Sequence, residues 1–155
     1  MKKIVIIAAM DEELEAIQNK FENIEEKKLK DLVYYEGQTK EKEYILTKCG
    51  VGKVNSARVT QMLIDNFEIE YIMNVGIAGS LNDELEIGDI VIGKKLVQHD
   101  FDITAFGHEK GYITDTGRIF ESDDKLIKEY NKPNGEYKIL VGTIASGDIF
   151  CNQVA

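Results

Sequence analysis

The sequence predicts an α/β protein, a sheet with helices on its faces. Three observations predict it. An unbroken β-branched run opens the chain, strand-like apolar runs then alternate with helix-like stripes, and glycine-containing segments follow several of those strands. Alternation of this kind is the pattern of a sheet whose connections run through helices.

Lys3 to Ala9 is continuously apolar and β-branched or small, as in a strand covered on both faces. Asp11 then caps a helix expected to run to about Phe21, with Leu14, Ile17 and Phe21 on one stripe. Lys27 to Lys40 alternates less cleanly. Val33-Tyr34-Tyr35 and Tyr44-Ile45-Leu46 read as strands on either side of the polar turn Gln38 to Lys42. A second helix is expected from Lys53 to Phe67, with Val59, Met62, Leu63 and Phe67 facing inward. Tyr71 to Val75 is a short buried strand ending at Gly76, and Asp89 to Gln98 is another, entered through Gly88. Residues 100 to 122 read as a long functional loop, Asp123 to Asn131 as a short helix stopped before Pro133, and Tyr137 to Ala145 as a last strand. No crossover helix follows that strand, so its apolar face calls for cover from an earlier helix or another chain. The expectation is a chain that depends on a partner or lacks its C-terminal part.

Composition bounds the class. The chain has 155 residues, 28 acidic against 19 basic, a net charge of −9, 43% hydrophobic and 30% charged residues. That length suits one domain of ~100–200 residues, and the balance excludes disorder. Its acidity argues against nucleic acid, which attracts Lys- and Arg-rich faces. Cys49 and Cys151 lack the paired spacing of a zinc or redox site and fit a reducing compartment. The basic start followed by Ile4 to Met10 imitates a secretory signal, but Asp11-Glu12-Glu13 interrupts it at once. No segment approaches the ~20 apolar residues of a membrane span. The expectation is a cytoplasmic protein without membrane or nucleic-acid partners.

In open α/β sheets ligands sit outside the carboxyl ends of the strands. Four unusual segments fall there: Ala8-Ala9-Met10, Cys49-Gly50-Val51-Gly52, Asn74 to Ser80, and Ser146 to Phe150. Glycines allow close approach and helix starts offer free amides, so together they suggest a pocket for a polar small molecule, although each alone suits a tight turn. Gly50-Val51-Gly52 fails as a dinucleotide fingerprint because Asn55 stands in place of the third glycine. Glu13 lies beside Ile17 on the edge of the apolar stripe, while Glu12 points to solvent. Such a carboxylate suits a general base for water, or simply complements the helix dipole. His99-Asp100-Phe101-Asp102 with His108 matches no standard metal spacing. A loop histidine with turn-capping aspartates is the favoured reading, and no metal or other cofactor is expected. Phe101, Phe106 and Phe150 fall in loops, where they either stack on a flat base or pack the loop.

These segments carry a resemblance. Ile6 to Glu13, Gly50 to Ala57, Asn74 to Gly79, Ile87 to Val91, His99 to Gly107 and Ser146-Gly147-Asp148 resemble, in order and approximate spacing, the bacterial 5′-methylthioadenosine/S-adenosylhomocysteine nucleosidases of the nucleoside phosphorylase-like superfamily. The resemblance implies a three-layer α/β/α mixed sheet, with residues 1–155 as a single domain that is C-terminally incomplete. It implies hydrolysis of the N-glycosidic bond of a purine thionucleoside through an oxocarbenium-like transition state, in methionine salvage. Glu13 falls on the water-activating glutamate, Phe150 on the aromatic that stacks on adenine, and Cys151 on the neighbour whose backbone contacts the base. Ala9, Val51 and Ile77 match pocket-lining positions. Phe106 matches a residue that reaches into the partner's pocket in a homodimer. Ile77 replaces a serine often found there, a loss near the ribose that backbone amides would have to compensate. Neither the Met-Glu-Ala-type segment that holds the ribose nor the Ser-Asp segment that protonates the purine occurs in these 155 residues. The chain alone is accordingly expected to be weakly active or inactive. Other readings are a non-catalytic purine-binding or dimerisation module, a futalosine hydrolase, and a purine nucleoside phosphorylase, for whose anion site only Arg58 and Arg118 are present.

Overall fold

The computed structural model describes residues 2–133, 135 and 137–151. They fall into two compact units, residues 1–79 and 80–155.

The first unit contains β1 (Lys3–Ala8), α1 (Asp11–Gln18), β2 (Ile24–Leu29), β3 (Leu32–Gln38), β4 (Glu43–Lys48), α2 (Lys53–Asn66) and β5 (Ile69–Asn74). The sheet order is β2-β3-β4-β1-β5. β1 runs parallel to both β4 and β5, whereas β2, β3 and β4 form an antiparallel meander. Alternation along β1 then builds two cores. Val5 and Ile7 pack with Ile45, Val59 and Leu63 under α2, while Ile4, Ile6 and Ala8 pack with Leu14 and Leu46 under α1. The unit is therefore helix, sheet, helix, and β1 is covered on both faces as its sequence predicts.

Two boundaries differ from expectation. α1 ends at Gln18 rather than Phe21, because a tight turn intervenes, with N–H bonds from Lys20 to Ile17 and from Phe21 to Gln18. The turn drops Phe21 edge-on to Tyr44, ring centroids 5.1 Å apart, in the space left by Gly37. β2 is not apparent in the sequence because Ile-Glu-Glu-Lys-Lys-Leu lacks an apolar face. It is an edge strand, and its charges discourage further strand pairing. A polar network anchors its neighbour: the Glu36 carboxylate accepts from Lys27 Nζ at 2.6 Å and also pairs with Lys3.

The second unit contains β6 (Ile90–Gln98), a 3-10 turn (Thr104–Phe106), β7 (Phe120–Glu121), α3 (Asp124–Tyr130) and β8 (Ile139–Ser146). Its sheet order is β7-β6-β8, with β6 and β8 parallel. The expected long loop thus contains a 3-10 turn and ends in a two-residue strand. Asp123 caps α3, its carboxylate accepting from the N–H groups of Lys125 and Leu126. Ile127 is the hydrophobic side chain this unit buries among the described residues, and Val141 on β8 stays 38% exposed. No helix among the described residues is long and apolar enough to cross a membrane.

Candidate active site

The sequence-predicted site residues divide between the units. Ala9, Glu13, Val51 and Ile77 belong to the first, and Phe106, Phe150 and Cys151 to the second.

In the first unit, parallel pairing brings three strand ends to one edge. Ala8 stands opposite Lys48, and Ile7 opposite Asn74. The ladder continues one residue beyond, with Cys49 N–H on Ala8 O at 2.9 Å and Val75 N–H on Ile7 O at 3.0 Å. Ala9, the segment from Cys49 to Gly52 and the segment from Val75 to Ile77 therefore emerge side by side, as the rule for ligand sites in such sheets requires. Gly50 and Gly52 have φ of +87° and +101°, and this left-handed turn starts α2 directly. Val51 is 70% and Ile77 82% exposed, so two apolar side chains stand in solvent at this edge.

Glu13 is held there by backbone alone. It is the third residue of α1, and its carboxylate folds back over the helix start. Oε2 accepts the N–H groups of Ala9 at 2.8 Å and Met10 at 3.1 Å, and Oε1 accepts that of Ile77 at 2.9 Å. Met10 is the N-cap, and its amide is among those a helix start leaves without partners, so its contact with Glu13 caps α1. Asp11, expected as the cap, is instead the first helical residue and pairs with Lys48 at 2.7 Å. Glu12 is exposed and Glu13 half-buried, as the helical spacing predicts. The Ile77 amide is engaged by Glu13. An oriented carboxylate of this kind can take a proton from a water molecule. Burial pushes the neighbouring Cys49 thiol above its ordinary pKa, and its Sγ donates to Gly50 O, so no reactive thiolate competes with it.

In the second unit the edge repeats in smaller form. Gln98 stands opposite Ser146, and His99 N–H bonds Ser146 O at 3.0 Å. The Asp100 carboxylate accepts the Asp148 N–H at 2.8 Å, tying the segment that leads to Phe150 and Cys151 to the end of β6. The pattern of loop-tying aspartates continues at Asp102. It accepts the N–H and hydroxyl of Thr104, and these bonds hold its carboxyl below the ordinary aspartate range. Phe106 and Phe150 are 81% and 88% exposed, and Cys151 is also exposed. Asp100 as an anchor for 148–151 is not apparent from sequence, because the bond joins residues 48 apart. Arg58 is engaged by Asp31 at 2.9 Å, and Arg118 by Lys110 O and Glu109.

Comparison with known proteins gives the family. The profile of the phosphorylase superfamily matches residues 3–155. The chain is 41% identical over 150 residues to the 5′-methylthioadenosine/S-adenosylhomocysteine nucleosidase of Desulfotalea psychrophila, covering 96% of this chain and 64% of that protein. The Neisseria meningitidis nucleosidase, solved in complex with methylthio-immucillin-A, superposes with a TM-score of 0.88 at 35% identity, over 97% of this chain and 66% of that one. Futalosine hydrolase of Helicobacter pylori strain 26695 superposes at 0.86 with 34% identity, over 96% and 65%. The chain thus spans about two thirds of the length of the relatives it matches. A match along nearly all of its residues makes the chain a member of the phosphorylase superfamily.

Proposed function

We propose that the protein hydrolyses the N-glycosidic bond of 5′-methylthioadenosine or S-adenosylhomocysteine, releasing adenine and a thioribose. The observation that carries this reading is the Glu13 carboxylate, fixed by three backbone amides at the carboxyl edge of the parallel strands. Similarity to nucleosidases over almost the whole chain supports the same substrate class.

In this mechanism Glu13 accepts a proton from water as the water oxygen bonds to C1′ of the ribose. The C1′–N9 bond breaks, and its electron pair leaves with the purine, which takes a proton from solvent water. Ala9, Val51 and Ile77 line the pocket, Phe150 stacks on the adenine, and the backbone at Cys151 contacts the base. The exposure of Phe106 suits a residue that closes the pocket of a partner subunit, so the protein works as a homodimer. It acts in the cytoplasm, in methionine salvage, with both units as parts of one domain. The residues that protonate the purine and hold the ribose have no counterpart among the 155. Loss of one acid–base partner costs ~10²–10⁴ in rate, so the 155-residue chain on its own turns over far more slowly than the ~1–10³ s⁻¹ typical of enzymes.

Adenine release from methylthioadenosine, S-adenosylhomocysteine and futalosine, with and without phosphate, tests the proposal. Slow release from the two thionucleosides, unaffected by phosphate, is the expected result. A dependence on phosphate would mean phosphorolysis. Adenine binding by a stable dimer without any turnover would mean a binding module. The likeness to futalosine hydrolase favours one second reading, which faster cleavage of futalosine would establish.

A further inference from the structure

Gly76 sits where a side chain has no room. A Cβ built there would lie 2.6 Å from Glu13 Oε1, 3.0 Å from its carboxyl carbon and 3.2 Å from Oε2. Gly76 is not among the glycines with positive φ. The position therefore demands glycine for space and not for backbone conformation. The obstructing atoms are the end of a flexible side chain, so an added methyl group would displace the carboxylate and leave the surrounding strands in place.

We propose that Gly76 is a positioning residue for Glu13, which lets the 76–77 peptide close on the carboxylate and selects Oε1 as the oxygen that meets water. A carboxylate offers about four lone-pair sites. Ala9 and Met10 occupy both sites of Oε2, and Ile77 occupies one of Oε1. Among the described residues one site stays open, on Oε1, beside a residue without a side chain. The catalytic part of this inference rests on the reading of Glu13 as the base; the positioning part stands on the geometry alone.

Amide hydrogen exchange of the 155-residue chain, followed by NMR, tests the positioning directly. In the wild type the amides of Ala9, Met10 and Ile77 are protected, and Glu13→Ala speeds exchange at all three. In Gly76→Ala exchange speeds at Ile77 while Ala9 and Met10 stay protected. An Ile77 amide whose exchange does not respond to Glu13→Ala, or that stays as protected in Gly76→Ala as in the wild type, overturns the proposal. If Gly76→Ala loses its dispersed spectrum, Glu13→Ala/Gly76→Ala decides. Removal of the carboxylate restores the fold if the clash is with Glu13, and failure to restore it refutes the idea. Adenine release provides the second arm. Misplacement of a reacting group by about 1 Å can cost ~10²-fold, so Gly76→Ala is expected to lower kcat by about that factor with KM little changed. Absence of release from the wild type would count against the nucleosidase reading and leave the amide result to decide the role of Gly76.

Discussion

The two units build the same kind of strand edge on different foundations. In the first, a carboxylate is tied to three backbone amides above a sheet packed on both faces, where Val5, Ile45, Leu46, Val59 and Leu63 are wholly buried. In the second, the one buried hydrophobic side chain among the described residues is Ile127, on α3, and the parallel pair β6 and β8 carries none. Its two aromatic candidates, Phe106 and Phe150, project into solvent. The proposed proton acceptor, which needs fixed geometry, stands on α1 and is fixed by three backbone amides. The aromatics at 106 and 150 stand exposed.

Core truncation breaks the comparison most severely. Leu63→Ala removes a fully buried side chain from α2 and is expected to cost about 2–5 kcal/mol in denaturant unfolding. Val141→Ala on β8, already 38% exposed, is expected to cost less than about 1 kcal/mol. Equal losses would mean that the second unit is as firmly packed as the first. An intermediate effect is expected at Asp100. Asp100→Ala removes the acceptor for Asp148 N–H, a loss of about 1 kcal/mol, and should speed hydrogen exchange at 148–151. Asp100→Asn, which keeps an acceptor oxygen, should restore most of the protection.

The smallest effect is a pH dependence in the first unit. Burial raises the Glu36 carboxyl, but bonds from Lys27 and Lys3 outweigh it and hold the group below its ordinary range. A carboxylate with a lowered folded pKa stabilises fully above its unfolded pKa, near ~4.3. That contribution is lost as pH falls through the folded value. Glu36→Gln should lower stability most at neutrality, where the carboxylate's contribution is fully present, and flatten the profile below pH ~4.3. A profile identical to wild type would remove Glu36 from the account.

Much of this was legible in the residues, and the reasons are specific. Lys3 to Ala8 announces a doubly covered strand because every residue after Lys3 is apolar, and Lys53 to Asn66 keeps Val59 and Leu63 one turn apart. β2 is hidden because an edge strand needs no apolar face. The end of α1 is hidden because Phe21 keeps its helical stripe position while reaching the core through a turn. At the site, helical spacing singles out Glu13 from Glu12, but nothing local reveals that the Ile77 amide 64 residues away completes its cradle. That contact depends on the parallel register of β1 with β5, which a single sequence does not display.

Glu13 is proposed as the proton acceptor for hydrolysis of a purine thionucleoside. Single-turnover adenine release from methylthioadenosine, with the chain in excess, tests it most directly when wild type and Glu13→Gln are compared. Slow release by the wild type and a further drop of ~10²–10⁴ in Glu13→Gln are expected, with a folded spectrum retained. Release by Glu13→Gln at the wild-type rate would contradict it.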